Sequence, residues 1–157
     1  VGPEVAAEMV AVTKHLMTRS EEALDAWFRT DGTVKPDVLA ELSLAWDTLM
    51  RRDGLSQHGA KAMATKLEGL IELSDKQAER ALTHFGETAP SDYRIRFAQA
   101  LALLSLSRDS EAAAILSGLS QGPNADPRFE ALLGLTEIRL GKAAEGRDRL
   151  RELLEVE

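Results

Sequence analysis

Shifting residues 59–157 by 34 positions lays the chain over itself. Leu67, Leu101 and Leu135 coincide, as do Leu70, Leu104 and Ile138. So do Ala78, Ala112 and Gly146; Leu82, Leu116 and Leu150; Phe85, Leu119 and Leu153; and Met63, Phe97 and Ala131. Apolar residues are common here, so one match means little. Six triple matches at one period, with small residues matching small ones, mark an internal repeat. A repeat constrains folding severely, because each unit must bury its apolar face against the next copy.

The repeated unit reads as two helices. Ala and Leu dominate, aromatics are only 4%, and Val, Ile and Thr are sparse, a balance that favours helix over strand. The 11 Gly and 5 Pro residues fall mostly at breaks rather than in runs. Ser74-Asp75-Lys76-Gln77 has the Ser-x-x-Gln form of a capping box, which predicts a helix start after Ser74. Ser107-Arg108-Asp109 and Gly141-Lys142 are the equivalent breaks. Ala89-Pro90-Ser91 and Asp126-Pro127 separate successive units, the second placing Pro at a first helical position. The units are therefore 59–92, 93–126 and 127–157, each a helix, tight turn, helix and longer turn.

A 34-residue period of paired helices resembles the tetratricopeptide repeat superfamily. Leu133-Gly134 through Leu140-Gly141 to Gly146 is similar to that family's Leu-Gly pair, turn Gly and small residue of the second helix. Ala100 and Gly134 take the small place in the first helices, and Ala78, Ala112 and Gly146 take it in the second. Pro90 holds the family's terminal Pro position, and Pro123 stands one residue early. The departures are Ala62, Arg96 and Glu130 at the family's bulky place, Lys66 at a small place and Glu137 at a frequent aromatic one. The resemblance implies an all-α fold, a right-handed superhelix of antiparallel helix pairs (an α-solenoid).

Residues 1–58 stand outside the array, because a preceding unit would need a helix through Asp31, Gly32 and Pro36. They read as an N-terminal helical cap of about three helices. The first carries Val5, Met9, Val12 and Leu16 at steps of three and four. Ser20, followed by Glu21 and Glu22, predicts an N-cap for a short second helix with Ala23, Leu24, Trp27 and Phe28 on one face. Asp31-Gly32 stops it, and Pro36-Asp37 opens a third helix with Val38, Leu42, Ala45 and Leu49 along its apolar side, closed by Asp53-Gly54.

The formal net charge of −7, from 26 acids and 19 bases, is spread evenly and forms no basic tail or stripe. Nucleic-acid binding thus lacks its usual electrostatic footprint. With no cysteine, disulfides and thiolate chemistry are excluded. His15, His58 and His84 lack metal-ligand spacing, and no phosphate loop, Gly-x-Ser-x-Gly or His-Glu-x-x-His occurs. No catalytic residue, cofactor or metal is expected. Trp27 and Trp46 lie among apolar neighbours and read as core. The longest apolar stretch, around Phe97–Leu106, is interrupted by Gln99 and Ser105 and too short to span a bilayer, so no direct membrane insertion is expected. The chain opens Val1-Gly2-Pro3 without an initiator Met, as an excised piece of a longer protein does, so a cytoplasmic, periplasmic or anchored setting stays open.

The resemblance implies a non-enzymatic protein–protein interaction module, an adaptor or scaffold that takes a partner's peptide or helix on the concave wall of its first helices. Arg94, Arg96, Gln99, Arg128, Glu130 and Glu137 are the polar residues on those helices not needed for packing, and so the candidate contacts. The three arginines suit an acidic segment. Two alternatives stand beside this reading. One is a self-assembling module, joined as a homo-oligomer through the C-terminal repeat after Leu153-Leu154. The other is a regulatory segment of a larger secretion, biogenesis or enzyme complex.

Overall fold

A computed structural model describes residues 2–30, 34–53, 58–88 and 91–155. Helix takes up 84% of the described residues, and no strand occurs among them. The helices are α1 (Pro3–Arg29), α2 (Pro36–Asp53), α3 (His58–Ser74), α4 (Ala78–Glu87), α5 (Tyr93–Ser105), α6 (Asp109–Ser120), α7 (Pro127–Arg139) and α8 (Ala143–Glu155). They fall into two compact units, residues 1–77 and 78–157.

In the first unit α1, α2 and α3 pack on one another. The expected break at Ser20 is absent, and α1 runs through it. The cap signal of Ser20-Glu21-Glu22 loses to packing, because Leu16, Ser20, Ala23, Leu24 and Trp27 form one continuous buried stripe. The Ser20 hydroxyl accepts a hydrogen bond of 2.9 Å from the buried Trp46 indole Nε1, which needs a partner once removed from water. Among the described residues up to Asp53, two long helices therefore stand where three were expected. The expected stop at Asp31-Gly32 and the closing Gly54 lie outside the described residues, as do Ala89-Pro90.

In the second unit α4 packs on α5, α5 on α6, α6 on α7 and α7 on α8. Its core includes Phe85, Phe97, Leu116 and Phe129, each no more than 1% exposed. The Phe97 and Phe129 rings join α5 to α7 with centroids 5.5 Å apart.

Three turns share one geometry. At the end of α3 the Gln77 amide donates to the Glu72 carbonyl and the Lys76 amide to that of Leu73. The same pairs recur as Arg108 to Leu103 with Ser107 to Leu104, and as Lys142 to Glu137 with Gly141 to Ile138. Each is a Schellman ending, which satisfies helix-terminal carbonyls by placing one residue in the left-handed region. Those residues are Lys76 (φ 61°), Ser107 (φ 59°) and Gly141 (φ 86°). Ser74 thus closes α3 instead of capping α4, and the expected capping box is replaced by this turn.

The turns also correct the register. Lys76, Ser107 and Gly141 are separated by 31 and then 34 residues, as are the starts of α4, α6 and α8 at Ala78, Asp109 and Ala143. Counted from those starts, the counterpart of Ala112 and Gly146 is Ala81, which is fully buried, and not Ala78. α3 is one turn longer than α5 and α7.

Candidate interaction surface

α5 and α7 open on the same device. Asp92 and Asp126 are N-caps whose carboxylates accept from the Arg94 and Arg128 backbone amides at 3.0 and 2.9 Å. Each carboxylate also takes a two-pronged bond from the same arginine. Arg94 Nε and Nη2 reach Asp92 at 2.9 and 2.8 Å, and Arg128 makes the equivalent pair with Asp126 at 3.1 Å each. Such forks are strong because two N–H groups match two oxygens in one plane. The Arg94 side chain is 10% exposed and that of Arg128 27%. Arg128 also lies over the Phe97 ring, 5.1 Å from its centroid. The Arg128 fork holds the Asp126 carboxyl below its ordinary value, outweighing the opposing effect of burial.

Glu130 and Glu137 turn toward α8. The Arg149 guanidinium donates to Glu137 at 2.6 Å and to Glu130 at 2.9 Å, so one cation ties two turns of α7 to α8. The two carboxylates, Glu137 foremost, raise the Arg149 pKa further above its ordinary range. Arg96 bonds Gln99 Oε1 at 3.1 Å and lines a shallow recess with Ile115, Gly118 and Leu119 of α6. The six candidate residues thus do not share one face. Arg94 and Arg128 hold equivalent places at helix starts. Arg96 faces α6, and Glu130 and Glu137 bond α8.

The face shared with Arg94 and Arg128 is apolar. Leu101 stands seven residues after Arg94 and Leu135 seven after Arg128, two turns along one side of each helix. Leu101 is half-buried and Leu135 is 51% exposed. Counted back from the shared turn, six residues before its left-handed residue, their counterpart on α3 is Leu70, which is fully buried. Sequence reasoning named the arginines and missed these leucines, which it counted only as repeat markers. It also missed the Asp partners, although Asp-x-Arg recurs at 92–94 and 126–128.

At the α7–α8 crossing the backbones touch. A methyl on Gly134 would stand 2.9 Å from Leu150 Cγ and 3.0 Å from the Gly146 carbonyl oxygen. One on Gly146 would overlap the Gly134 carbonyl oxygen and come within 2.7 Å of Ile138 Cγ1. Ala100 and Ala112, both fully buried, hold the equivalent places in α5 and α6.

Among the described residues, no group of three or more His, Cys, Asp or Glu is placed to hold a metal ion. No described helix is long and apolar enough to cross a membrane. No protein-family model matches the chain, and comparison with curated proteins returns no match.

Proposed function

We propose that the chain is a non-enzymatic protein–protein interaction module of tetratricopeptide type, its helix pairs forming part of a right-handed superhelix. In this reading a partner's peptide or helix docks on the side of α5 and α7 that carries Leu101 and Leu135. The observation that carries it is the contrast between that open face and its buried counterpart on α3. The recurring fork, Schellman turn and small-residue crossing of α5–α6 and α7–α8 support the repeat architecture. Arg94 and Arg128 are each matched by an aspartate, so the favoured partner segment is more apolar than acidic, with Arg128 at its margin.

Self-assembly through the last repeat draws less support. The exposed side of α8 carries Glu145, Arg147, Asp148, Arg151 and Glu152, with Leu154 the one large apolar residue on it. Such a polar side offers a second copy little apolar surface to bury.

Affinity capture with the chain as bait, repeated with Leu135→Glu, tests the docking face. Leu135 is exposed enough for the change to leave the fold intact. Captured partners should be lost with Leu135→Glu and kept with Glu111→Lys on α6, which breaks only an exposed pair with Arg108. The reverse pattern would move the site to the other side of the pairs.

A further inference from the structure

α1 is amphipathic along its whole length but covered along only half of it. Its stripe runs Val5, Met9, Val12 and Leu16 and continues to Trp27. From Leu16 onward the stripe is buried. Ahead of Leu16 no described side chain is, and Val5 and Val12 are each 47% exposed. Across from them α2 leaves Leu44 62% exposed. Between the two helices lies an open groove of about 560 Å³. Val5, Glu8, Met9 and Val12 form one wall, and Glu41, Leu44, Ala45 and Thr48 form most of the other. Both sets follow the i, i+3, i+4, i+7 spacing, the footprint of a third helix laid along the pair.

The walls carry one sign of charge. Residues 3–13 contain Glu4 and Glu8, residues 36–50 contain Asp37, Glu41 and Asp47, and neither stretch contains Lys or Arg. Glu8 and Glu41 flank the apolar floor from opposite sides. We infer that this groove seats an amphipathic helix of another protein, apolar on its inserted face and rich in Lys or Arg on both flanks. A second copy of the chain would bring the same carboxylates against themselves, and an anionic membrane surface would meet the same repulsion. The groove lies in the first unit and shares no residue with the α5–α7 face, so its test is independent of the one above.

Calorimetric titration of the whole chain with two synthetic helices, each about three heptads long, decides the matter. One has Leu at the apolar positions and Lys elsewhere, and the other has Glu in place of Lys. The Lys helix should bind and the Glu helix should not. Leu44→Asp should weaken the Lys helix about tenfold or more, although it adds an acid that charge attraction alone would reward. Glu8→Lys with Glu41→Lys should reverse the preference between the helices. All three residues are exposed, and circular dichroism checks that each variant keeps its helix content. Failure of the Lys helix to bind, or binding unchanged by Leu44→Asp, overturns the inference. So does a concentration-dependent dimer of the unliganded chain that Leu44→Asp abolishes, which would make the occupant a second copy.

Discussion

The α5–α6 and α7–α8 pairs are built on the same turn and the same helix-opening fork, yet they are fastened differently. Where α5 and α6 carry Ala100 and Ala112, α7 and α8 carry Gly134 and Gly146, whose backbones meet without room for a methyl. Where α5 and α6 place Leu103 and Ile115, α7 and α8 place Glu137 and Arg149, bonded at 2.6 Å. Arg96 likewise becomes Glu130, the second carboxylate on Arg149. The lesson is that the repeat conserves geometry, meaning turn, cap and crossing point, while the bond across the pair is free to change. α8 is the last described helix and mostly exposed, so a charged clasp there is less desolvated than it would be deep inside the array.

The largest expected effect falls on the crossings. Ala112→Arg drives a long charged chain into a fully buried site and should cost about 3–5 kcal/mol, read by urea denaturation. Loss of less than about 1 kcal/mol would remove Ala112 from the packed crossing. The two pairs should part at smaller changes. Gly146→Ala should destabilise by about 1–3 kcal/mol despite the better helix propensity of Ala, because its methyl meets backbone.

The forks come next. Asp92→Ala removes a cap and leaves the buried Arg94 guanidinium without its carboxylate, for about 2–3 kcal/mol. Asp126→Ala should cost about 1 kcal/mol, since Arg128 stays better solvated. Equal losses would erase the difference in burial between the two starts. The Asp126 carboxyl is held low, so its contribution is full above the ordinary aspartate pKa of about 4. It disappears as the pH falls through the lower folded value. Asp126→Asn should therefore flatten the acid limb of a stability–pH curve.

The clasp should behave as a unit. Arg149→Ile alone leaves the mostly buried Glu137 unpaired and should cost about 1–2 kcal/mol. Adding Glu137→Leu, which copies the Leu103–Ile115 arrangement, should recover most of that loss. Additive losses would mean that the two pairs differ in more than the clasp. The smallest effects belong to the turns. Ser107→Gly should stabilise by up to about 1 kcal/mol by relieving a left-handed residue, and Gly141→Ala should destabilise by a similar amount. Nothing lies within 4 Å of a methyl at Gly141, so conformation alone is at stake there.

The helical class and the paired plan were readable because apolar spacing and small residues repeat. The 31-residue step was not. Ala78 and Ala81 are three apart, as are Leu82 and Phe85, so either register finds an apolar match. Gly141 announces its turn, whereas Lys76 and Ser107 adopt the same backbone with side chains that signal nothing of the kind. Ser20 looked like a cap because its neighbours are acidic, and only tertiary packing gives its hydroxyl to Trp46. The candidate site was legible in part. Arg94 and Arg128 stood out as charges, but charge alone does not say that an aspartate two residues earlier already holds each of them. The Arg149 clasp spans 12 and 19 residues in sequence, beyond the reach of a single-helix pattern.

The helix-pair plan itself is tested most directly by the backbone at three residues. Solution NMR of the chain, using backbone chemical shifts and the HN–Hα couplings, should place Lys76, Ser107 and Gly141 at positive φ, with helix on both sides of each. Helical shifts running unbroken through Lys76 or Ser107, or a capping-box signature at Ser74, would contradict the paired plan and the register built on it.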